Sequence, residues 1–265
     1  MDFKGKSILI VGASSGIGRT LALRLAREGA KLVVTARREQ LLTALAEEIR
    51  AGGGACLAIA ADATNETSGA GVIRRAVEEY GRLDMLYLNA GGAPALDMRL
   101  MSSGDVNAYM RSNYDVVVNY LFPGLKQMVK QGGGYVGHTN SLAAFLGVPL
   151  QGPYSAAKGA AMLLIDTCRI EFASYGIKFI TVYPGFVATE ATANDGMPAP
   201  LEISADKAAD HIMYALRKEK SDYPFPLPMR LLIGLAQVLP KPVTLWVLSK
   251  TLPKLPELPR DALPE

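Results

Sequence analysis

A short apolar strand that runs directly into a glycine-rich turn is the feature that most constrains the fold. Residues 7–11 (SILIV) form a continuous apolar run, which is typical of a strand buried on both faces. Residues 12–18 (GASSGIG) follow at once, and a helical pattern continues over residues 19–28. A helix N-terminus attracts phosphate through free backbone N–H groups, and glycine permits a close approach. The spacing GxxxGxG in this context predicts a nucleotide-phosphate site rather than an ordinary turn.

The same alternation of apolar runs and helical patterns continues along the chain. Further strands are expected at 31–36, 55–62, 83–92, 134–140, 177–185 and 221–226. Helices are expected at 39–52, 66–80, 102–130, 153–175 and 205–219. This order predicts an α/β fold, a single-domain doubly wound Rossmann-type parallel sheet of about seven strands with helices on both faces. Ligands of such sheets bind beyond the carboxyl ends of the strands, where five residues fall: Gly12, Ala36, Asp62, Asn89 and Ser141.

The end of the second strand bears on which dinucleotide would bind. An acidic residue there selects the free ribose 2′-hydroxyl, but this chain has Ala36 followed by Arg37 and Arg38. Two guanidinium groups without a carboxylate suit a 2′-phosphate, so the pattern favours NADP over NAD. The alternative is an ordinary basic start to the next helix. At the third strand, Asp62 either contacts the adenine amino group or caps the next helix.

A tyrosine and a lysine four residues apart indicate acid–base chemistry. In a helix, Tyr154 and Lys158 lie on one face, and the ammonium group would lower the pKa of the phenol. Ser141 lies thirteen residues upstream, where its hydroxyl could share a substrate oxygen with Tyr154. The alternative is a tyrosine facing the core beside a solvated lysine. The catalytic interpretation therefore depends on the predicted nucleotide site.

Composition argues against several other classes of function. A net charge of +3 without a cluster of basic residues argues against nucleic-acid binding. Cys56 and Cys168 lie in apolar contexts and are expected to be core thiols. No metal site is predicted, because neither these cysteines nor the two histidines, His138 and His211, have the spacing of metal ligands. We expect His138 to be a partnered strand residue and His211 to face solvent or pack on the sheet. Without a signal-like N-terminus or a run of 18 apolar residues, the chain is predicted to be cytoplasmic.

These motifs together resemble the short-chain dehydrogenase/reductase family over roughly residues 5–226. The family's TGxxxGxG motif corresponds to residues 11–18, and its NNAG motif corresponds to residues 88–91. Val11 and Leu88 depart from these motifs. Both replace residues that support the cofactor turn and the central strand through hydrogen bonds, so the departures bear on local rigidity more than on chemistry.

The resemblance also implies a catalytic set of four residues. Ser141, Tyr154 and Lys158 match the family's Ser–Tyr–Lys set. The residues alone leave Asn113 and Asn119 as alternatives for a functional helix asparagine; the resemblance selects Asn113, which precedes Ser141 by the family's usual interval. It implies that Tyr154 transfers the proton, Lys158 lowers its pKa and binds the nicotinamide ribose, and Ser141 orients the carbonyl. Asn113 would hold a water molecule in the proton relay.

The implied reaction is hydride transfer at the nicotinamide C4, coupled to proton transfer at a carbonyl or alcohol oxygen. Arg37 matches the position at which NADP-preferring members carry a basic residue. The implied cofactor is NADP(H), and its expected contacts are Gly12, Ser14, Ser15, Gly16, Ile17, Gly18, Arg37, Arg38, Asp62, Ala63, Asn89, Ala90, Gly91, Tyr154, Lys158, Pro184, Gly185, Val187 and Thr189.

Three loops are expected to shape a substrate pocket, at residues 92–100, 142–152 and 186–203. They are mostly apolar, which favours a hydrophobic carbonyl or alcohol substrate; examples are Leu142, Phe145, Leu146, Phe186 and Met197. The sequence of the last loop shows neither the periodicity of a helix nor that of a strand, so this loop is expected to be a mobile lid. The main hypothesis is an NADP(H)-dependent oxidoreductase. The rival is a non-catalytic NADP-binding redox sensor or scaffold, which would need only the nucleotide half of the site.

A proline-rich apolar extension, residues 227–265, follows the predicted Rossmann domain of residues 1–226. It contains two apolar segments, each too short to span a membrane. We expect a helical flap that packs on the same domain, or an interface of a homodimer or homotetramer. The alternative is peripheral membrane contact through residues 229–252, with Trp246 at the headgroup level. Residues 253–265 are expected to be an extended tail.

Overall fold

The computed structural model describes residues 1–190, 192–193, 199–253, 255 and 257–258. Seven parallel strands form its central sheet: β1 (Ser7–Val11), β2 (Lys31–Ala36), β3 (Ala55–Ala60), β4 (Met85–Leu88), β5 (Gly134–Thr139), β6 (Ile177–Pro184) and β9 (Asp222–Phe225). Their order is β3-β2-β1-β4-β5-β6-β9. The predicted Rossmann-type sheet is therefore confirmed, including the seventh strand at its edge.

Helices cover both faces of the sheet. Those of the described chain are α1 (Gly16–Arg27), α2 (Glu39–Ala51), α3 (Ser68–Tyr80), α4 (Ser103–Met110), α5 (Val116–Lys130), α6 (Gly152–Glu171), α7 (Ala205–Arg217), α8 (Leu227–Val238) and α9 (Lys241–Thr251). Successive strand residues point to opposite faces. Ile8 and Ile10 of β1 therefore join the core cluster under α1, α2 and α7. Leu9 and Val11 join the cluster under α3, α5 and α6.

The strand order reverses at β1, which pairs with β2 on one side and β4 on the other. A crevice forms at the carboxyl ends of strands at such a switch point. Gly12 begins the turn there with φ +85°, and a Cβ at this position would lie 2.7 Å from the backbone of Ala90. A Cβ on Gly18 would overlap the carbonyl oxygen of Gly12. Asn89 Nδ2 donates a hydrogen bond to that same oxygen at 3.0 Å, so the glycine turn is held against the end of β4.

The helix predicted over residues 102–130 contains an irregular turn. It begins with a capping box between Ser102 and Asp105, and α4 runs regularly from there to Met110. The next five residues, Arg111–Asp115, form a π-helical turn before α5 begins. Such turns are often found at functional sites. This turn carries the buried Asn113.

Two side chains behave differently from the sequence-based expectations. Helix α3 begins six residues after Asp62, whose Oδ1 accepts hydrogen bonds from the backbone N–H and hydroxyl of Thr64. The helix-capping alternative for Asp62 is therefore wrong. Within the described chain, neither ring nitrogen of the buried His138 has a hydrogen-bond partner, so the expected partnering is also wrong. His211 packs on the sheet, which was one of its two predicted placements, and its ring stacks on that of Phe225 with the centroids 4.5 Å apart.

The loop at residues 186–203 contains two strands that the sequence pattern did not reveal. β7 (Val187–Ala188) pairs in parallel with β8 (Ile203–Ser204), which brings the two ends of the loop together. Ser204 also caps α7, as its position suggested, by accepting a hydrogen bond from the N–H of Lys207. Met197, one of the predicted pocket residues, lies outside the described residues.

The C-terminal extension forms α8 and α9, joined by Leu239 and Pro240. Met229 anchors α8 in a small cluster with the buried side chains of Leu142 and Tyr183. In α9, the buried Thr244 donates a hydrogen bond to the carbonyl of Ala236 at 2.9 Å, which holds the two helices together. No helix in the described ranges is long and apolar enough to cross a membrane.

Candidate active site

A single cavity of about 2300 Å³ extends from the glycine-rich turn to α8 and α9. Apart from Gly18, every residue predicted from the sequence to react or to bind cofactor lines it. Gly18 is buried under the turn, where its lack of a side chain leaves room for the carbonyl of Gly12. Tyr154 faces this cavity and not the protein core, which was the alternative for an isolated Tyr–Lys pair.

The nucleotide end of the cavity is built on the start of α1. Ser15 is the N-cap residue, but its side chain makes no capping hydrogen bond, and no acidic residue stands in the first helical turn. The first N–H groups of a helix lack intrahelical partners. They and the helix dipole therefore suit an anion at this end of the cavity.

Arg38 spans the rim of this end of the cavity. One guanidinium nitrogen, Nη1, donates to both carboxylate oxygens of Glu190 at 2.8 and 2.9 Å. The other, Nη2, donates to Ser15 Oγ at 2.6 Å and Ser14 Oγ at 3.2 Å. Arg38 thereby joins the glycine-rich turn to the segment that follows β7. Arg37 lines the same region and is exposed.

The other end of the cavity brings Ser141, Tyr154 and Lys158 together. Ser141 follows β5, while Tyr154 and Lys158 share one face of α6. Lys158 Nζ donates to the carbonyl of Thr139 at 3.1 Å and lies 5.6 Å from the centroid of the Tyr154 ring. Asn140 Nδ2 donates to the carbonyl of Lys158 at 3.1 Å, which ties α6 to the end of β5.

The pKa values of this group differ from the sequence-based expectation. Burial raises the pKa of Tyr154, and a hydrogen bond with Ser141 offsets this rise only in part. The net shift of the Tyr154 pKa is therefore upward, opposite to the lowering predicted from Lys158. Burial also lowers the pKa of Lys158 from 10.5 to about 8, because its ammonium group is removed from water.

Asn113 holds the segment that follows β4. Its Oδ1 accepts from the N–H of Gly92 at 3.0 Å, and its Nδ2 donates to the carbonyl of Tyr109 at 3.3 Å. A Cβ on Gly91 would lie 2.8 Å from Asn113 Oδ1 and 3.7 Å from Lys158 Nζ, so these groups meet at one point. Asn119 instead donates to the carbonyl of Ala63 at 2.9 Å.

The cavity also contains residues that the sequence reasoning did not single out, among them Tyr109 and Glu190. Tyr109 donates a hydrogen bond to the carbonyl of Gly92 at 2.7 Å. Its pKa is raised, first by burial and then by the nearby Tyr154. The four-residue spacing between Tyr109 and Asn113 could have revealed it, because such residues share a helix face. Glu190 lies in the predicted pocket loop at residues 186–203, but nothing local indicates its ion pair with Arg38, which only the fold brings about.

Comparison with known proteins agrees with this geometry. The short chain dehydrogenase family model matches residues 6–198. The chain belongs to the short-chain dehydrogenase/reductase family. It is 35% identical over 188 residues to an A-factor type gamma-butyrolactone 1′-reductase of Streptomyces virginiae, with 70% of this chain and 73% of the relative covered. It is 34% identical over 199 residues to an L-rhamnose 1-dehydrogenase (NAD(P)(+)) of Azotobacter vinelandii, with 72% of this chain and 76% of the relative covered.

A solved structure extends the likeness to nearly the whole chain. A short-chain dehydrogenase/reductase from Burkholderia phymatum in complex with NAD matches with a TM-score of 0.81 at 22% identity, covering 97% of this chain and 99% of that one. At this identity the match bears on the fold alone. As a short-chain dehydrogenase/reductase, the protein is an oxidoreductase acting on CH–OH or C=O groups and using a nicotinamide cofactor. The uncapped start of α1 and the glycines beside it fit such a dinucleotide.

In this short-chain dehydrogenase/reductase, Lys158→Met is expected to raise the free energy of unfolding near pH 7 by about 2 kcal/mol. Lowering the lysine pKa from 10.5 to about 8 costs the folded state about 3 kcal/mol when the amine is charged. Loss of the hydrogen bond to Thr139 offsets about 1 kcal/mol of the gain. Urea unfolding measures the difference.

The difference in free energy of unfolding between the unsubstituted protein and Lys158→Met should also depend on pH, which gives a more specific test. The unfolded protein retains the Lys158 proton up to about pH 10.5, whereas the folded protein loses it near pH 8. The stability of the unsubstituted protein should therefore rise relative to the Met variant between these pH values. Lys130→Met, at an exposed site, is the control and should show no such trend. A constant difference from pH 7 to pH 10.5 would contradict a desolvated ammonium group at Lys158.

Proposed function

We propose that the protein is an NADP(H)-dependent oxidoreductase that interconverts a ketone and a secondary alcohol of a hydrophobic substrate, with Tyr154 as the general acid and base. One observation carries the proposal: Ser141, Tyr154 and Lys158 line the same cavity as the glycine-rich turn. A non-catalytic nucleotide sensor would not need Ser141, Tyr154 or Lys158. A cytoplasmic location and a homo-oligomeric state remain predictions from the sequence.

The reaction assigns a distinct task to each side chain. The bound nicotinamide cofactor supplies or accepts the hydride. In reduction, the Tyr154 hydroxyl gives its proton to the carbonyl oxygen; in oxidation, the phenolate takes the proton back. Ser141 donates a hydrogen bond to the same oxygen and stabilises its developing negative charge. The Lys158 ammonium stabilises the phenolate and binds the nicotinamide ribose. Asn113 fixes the backbone at Gly92 and keeps a relay water beside Lys158.

The chemistry of the cavity wall supports a hydrophobic substrate. Beyond Tyr154 the lining is largely apolar and includes Leu142, Leu146, Phe186, Met229 and Ile233. A volume of about 2300 Å³ exceeds the roughly 300–1,000 Å³ of an ordinary small-molecule site. There is consequently room for a dinucleotide and a bulky substrate together.

Spectrophotometry of NADPH consumption with aliphatic, aromatic and steroid ketones tests this function. We expect turnover with at least one bulky apolar ketone, and the reverse reaction with the matching alcohol and NADP⁺. Small polar ketones should be poor substrates, because they would leave the apolar wall hydrated. The absence of turnover with every ketone, despite measurable NADPH binding, would instead favour a non-catalytic nucleotide-binding protein.

Arg37→Ala and Arg38→Ala are each expected to weaken NADPH binding by about tenfold while changing NADH binding by less than about twofold. Both guanidinium groups line the cavity beyond β2, where no carboxylate precedes them on the strand. A charge-assisted hydrogen bond to a phosphate contributes about 1.5–3 kcal/mol. Isothermal titration with each cofactor measures the change. Equal affinities of the unsubstituted protein for NADPH and NADH would defeat the 2′-phosphate assignment.

Glu190→Gln is the complementary variant and should strengthen NADPH binding by a few-fold. The Glu190 carboxylate accepts two hydrogen bonds from the Arg38 guanidinium group. A 2′-phosphate that binds Arg38 would therefore have to displace this carboxylate. The amide keeps the shape of the side chain and removes the competing charge. Glu202→Gln, also at the cavity wall, is the matched control and should leave both affinities unchanged. If Glu190→Gln strengthened NADH binding instead, Glu190 would compete with a part of the nucleotide other than the 2′-phosphate.

A further inference from the structure

Helices α8 and α9 present the largest group of exposed apolar side chains in the described part of the chain. We name it the α8–α9 surface. Its members are between 42% and 79% exposed: Leu227, Leu231, Leu232, Leu235 and Val238 of α8, and Val243, Leu245, Trp246 and Val247 of α9. Large contiguous apolar patches are uncommon on monomeric proteins and mark interaction sites. A helix that is apolar on several sides, as α9 is, is normally buried against protein or in a membrane.

The charge of this segment is of one sign. Residues 226–253 contain Arg230, Lys241 and Lys250 and no aspartate or glutamate. Lys250 Nζ lies 5.7 Å from the centroid of the Trp246 ring, so a cation and an aromatic ring sit side by side on α9. Tryptophan and basic residues beside leucines are typical of helices that lie in a membrane interface.

The composition of the surface argues for lipid over a second copy of the chain. A twofold interface must be self-complementary, and three cations without a carboxylate in the same segment provide no partner for themselves. An anionic lipid headgroup is complementary to them. A bilayer also accepts leucines around several sides of a short helix, which one flat protein surface covers less completely.

The surface is continuous with the cavity. Leu232, Leu235 and Val247 belong to the exposed set and also line the cavity that contains Tyr154. Whatever covers the α8–α9 surface is therefore in contact with the cavity wall. A bilayer in that position would adjoin the apolar end of the cavity directly.

We propose that the α8–α9 surface docks on an anionic lipid bilayer, with both helices lying in the plane of the headgroups. Leu231, Leu235 and Trp246 enter the acyl boundary, and Arg230 and Lys241 contact anionic headgroups. Docking does not depend on the proposed oxidoreductase chemistry. If both hold, an apolar substrate reaches the cavity from the lipid without crossing water.

Trp246 is the only tryptophan of the chain and gives a direct test. The 265-residue chain is mixed with vesicles of phosphatidylcholine containing about one-third phosphatidylserine, and with vesicles of phosphatidylcholine alone. We expect the protein to float with the anionic vesicles, a blue shift of the Trp246 emission, and quenching by lipids brominated on the acyl chain. Binding to neutral vesicles should be much weaker, and rising salt should release the protein.

Two double variants separate the apolar and electrostatic contributions. L231E/V238E, at two exposed sites of α8 that do not line the cavity, should abolish flotation, whereas I170E, at an exposed site on α6, should leave it unchanged. R230Q/K241Q should weaken binding to anionic vesicles by roughly 25-fold, at roughly fivefold per cation. Circular dichroism verifies that each variant is folded. NADPH titration verifies that the nucleotide site is intact, so a loss of docking is distinguishable from a failure of the proposed function.

Three results would overturn the proposal. The first is unchanged Trp246 emission at saturating anionic lipid. The second is flotation that L231E/V238E retains. The third is a stable dimer that L231E/V238E converts to a monomer while vesicles leave Trp246 unaffected, which would make the surface a subunit interface.

Discussion

Tyr154→Phe should reduce turnover by about 10²–10⁴-fold, the usual contribution of a positioned general acid. The substitution removes one hydroxyl and keeps the ring that lines the cavity between Ser141 and Lys158. Binding of NADPH should change by less than about twofold, because the glycine-rich turn and the arginines after β2 are untouched. Stopped-flow fluorescence of NADPH gives the affinity, and steady-state kinetics with the best ketone of the screen gives the turnover.

Tyr109→Phe is the matched control for this experiment. Tyr109 lines the same cavity and also loses only a hydroxyl, but that hydroxyl donates to the carbonyl of Gly92. We expect a fall in turnover of less than about tenfold, consistent with one lost hydrogen bond of about 1 kcal/mol. If Tyr109→Phe abolished turnover and Tyr154→Phe did not, the proton would pass through Tyr109 and the assignment of Tyr154 would be wrong.

Gly18→Ala should weaken NADPH binding by roughly 5- to 150-fold, the equivalent of the 1–3 kcal/mol cost of overpacking. The new methyl group would overlap the carbonyl oxygen of Gly12 and lie 2.8 Å from Asn89 Nδ2. Those two atoms form the hydrogen bond that holds the turn against β4. The turn must therefore move, and the first N–H groups of α1 move with it. Isothermal titration and the melting temperature measure the two consequences.

Gly71→Ala in α3 is the control with the opposite expected sign. An added Cβ there meets no atom within 4 Å. Replacing glycine by alanine inside a helix stabilises it by about 0.5–1 kcal/mol, so the melting temperature should rise and NADPH binding should not change. Full NADPH affinity in Gly18→Ala would show that the close packing at Gly12 is not needed for the nucleotide site.

Much of the fold was predictable because its signals are local. The apolar run of β1, the glycines after it and the four-residue spacing of Tyr154 and Lys158 each lie within one short segment. The regular alternation of strands and helices then determines the sheet, since parallel strands need crossover helices between them. The carboxyl ends of the strands consequently meet at one edge, where the predicted residues line one cavity.

The remainder depended on contacts between distant segments. Glu190 meets Arg38 across 152 positions, and no periodicity in either segment indicates that ion pair. The raised pKa of Tyr154 depends on how deeply α6 is buried, whereas spacing gives only the distance to Lys158. The unpartnered ring of His138 likewise follows from the packing around β5 and not from its strand pattern.

The turn at Arg111–Asp115 holds one residue more than a regular α-helix would need, and the wide turn absorbs this residue so that α4 and α5 keep the phase of one continuous helix. Deleting a single residue there would let the helix close regularly while leaving α5 at nearly its present rotation, because five residues of a π-turn sweep about the same angle as four α-helical residues. Tyr120 would stay in the core, whereas the amide of Asn113 would lose its place beside Gly92. The extra residue therefore sets which side chain faces the cavity without changing the face that α5 buries.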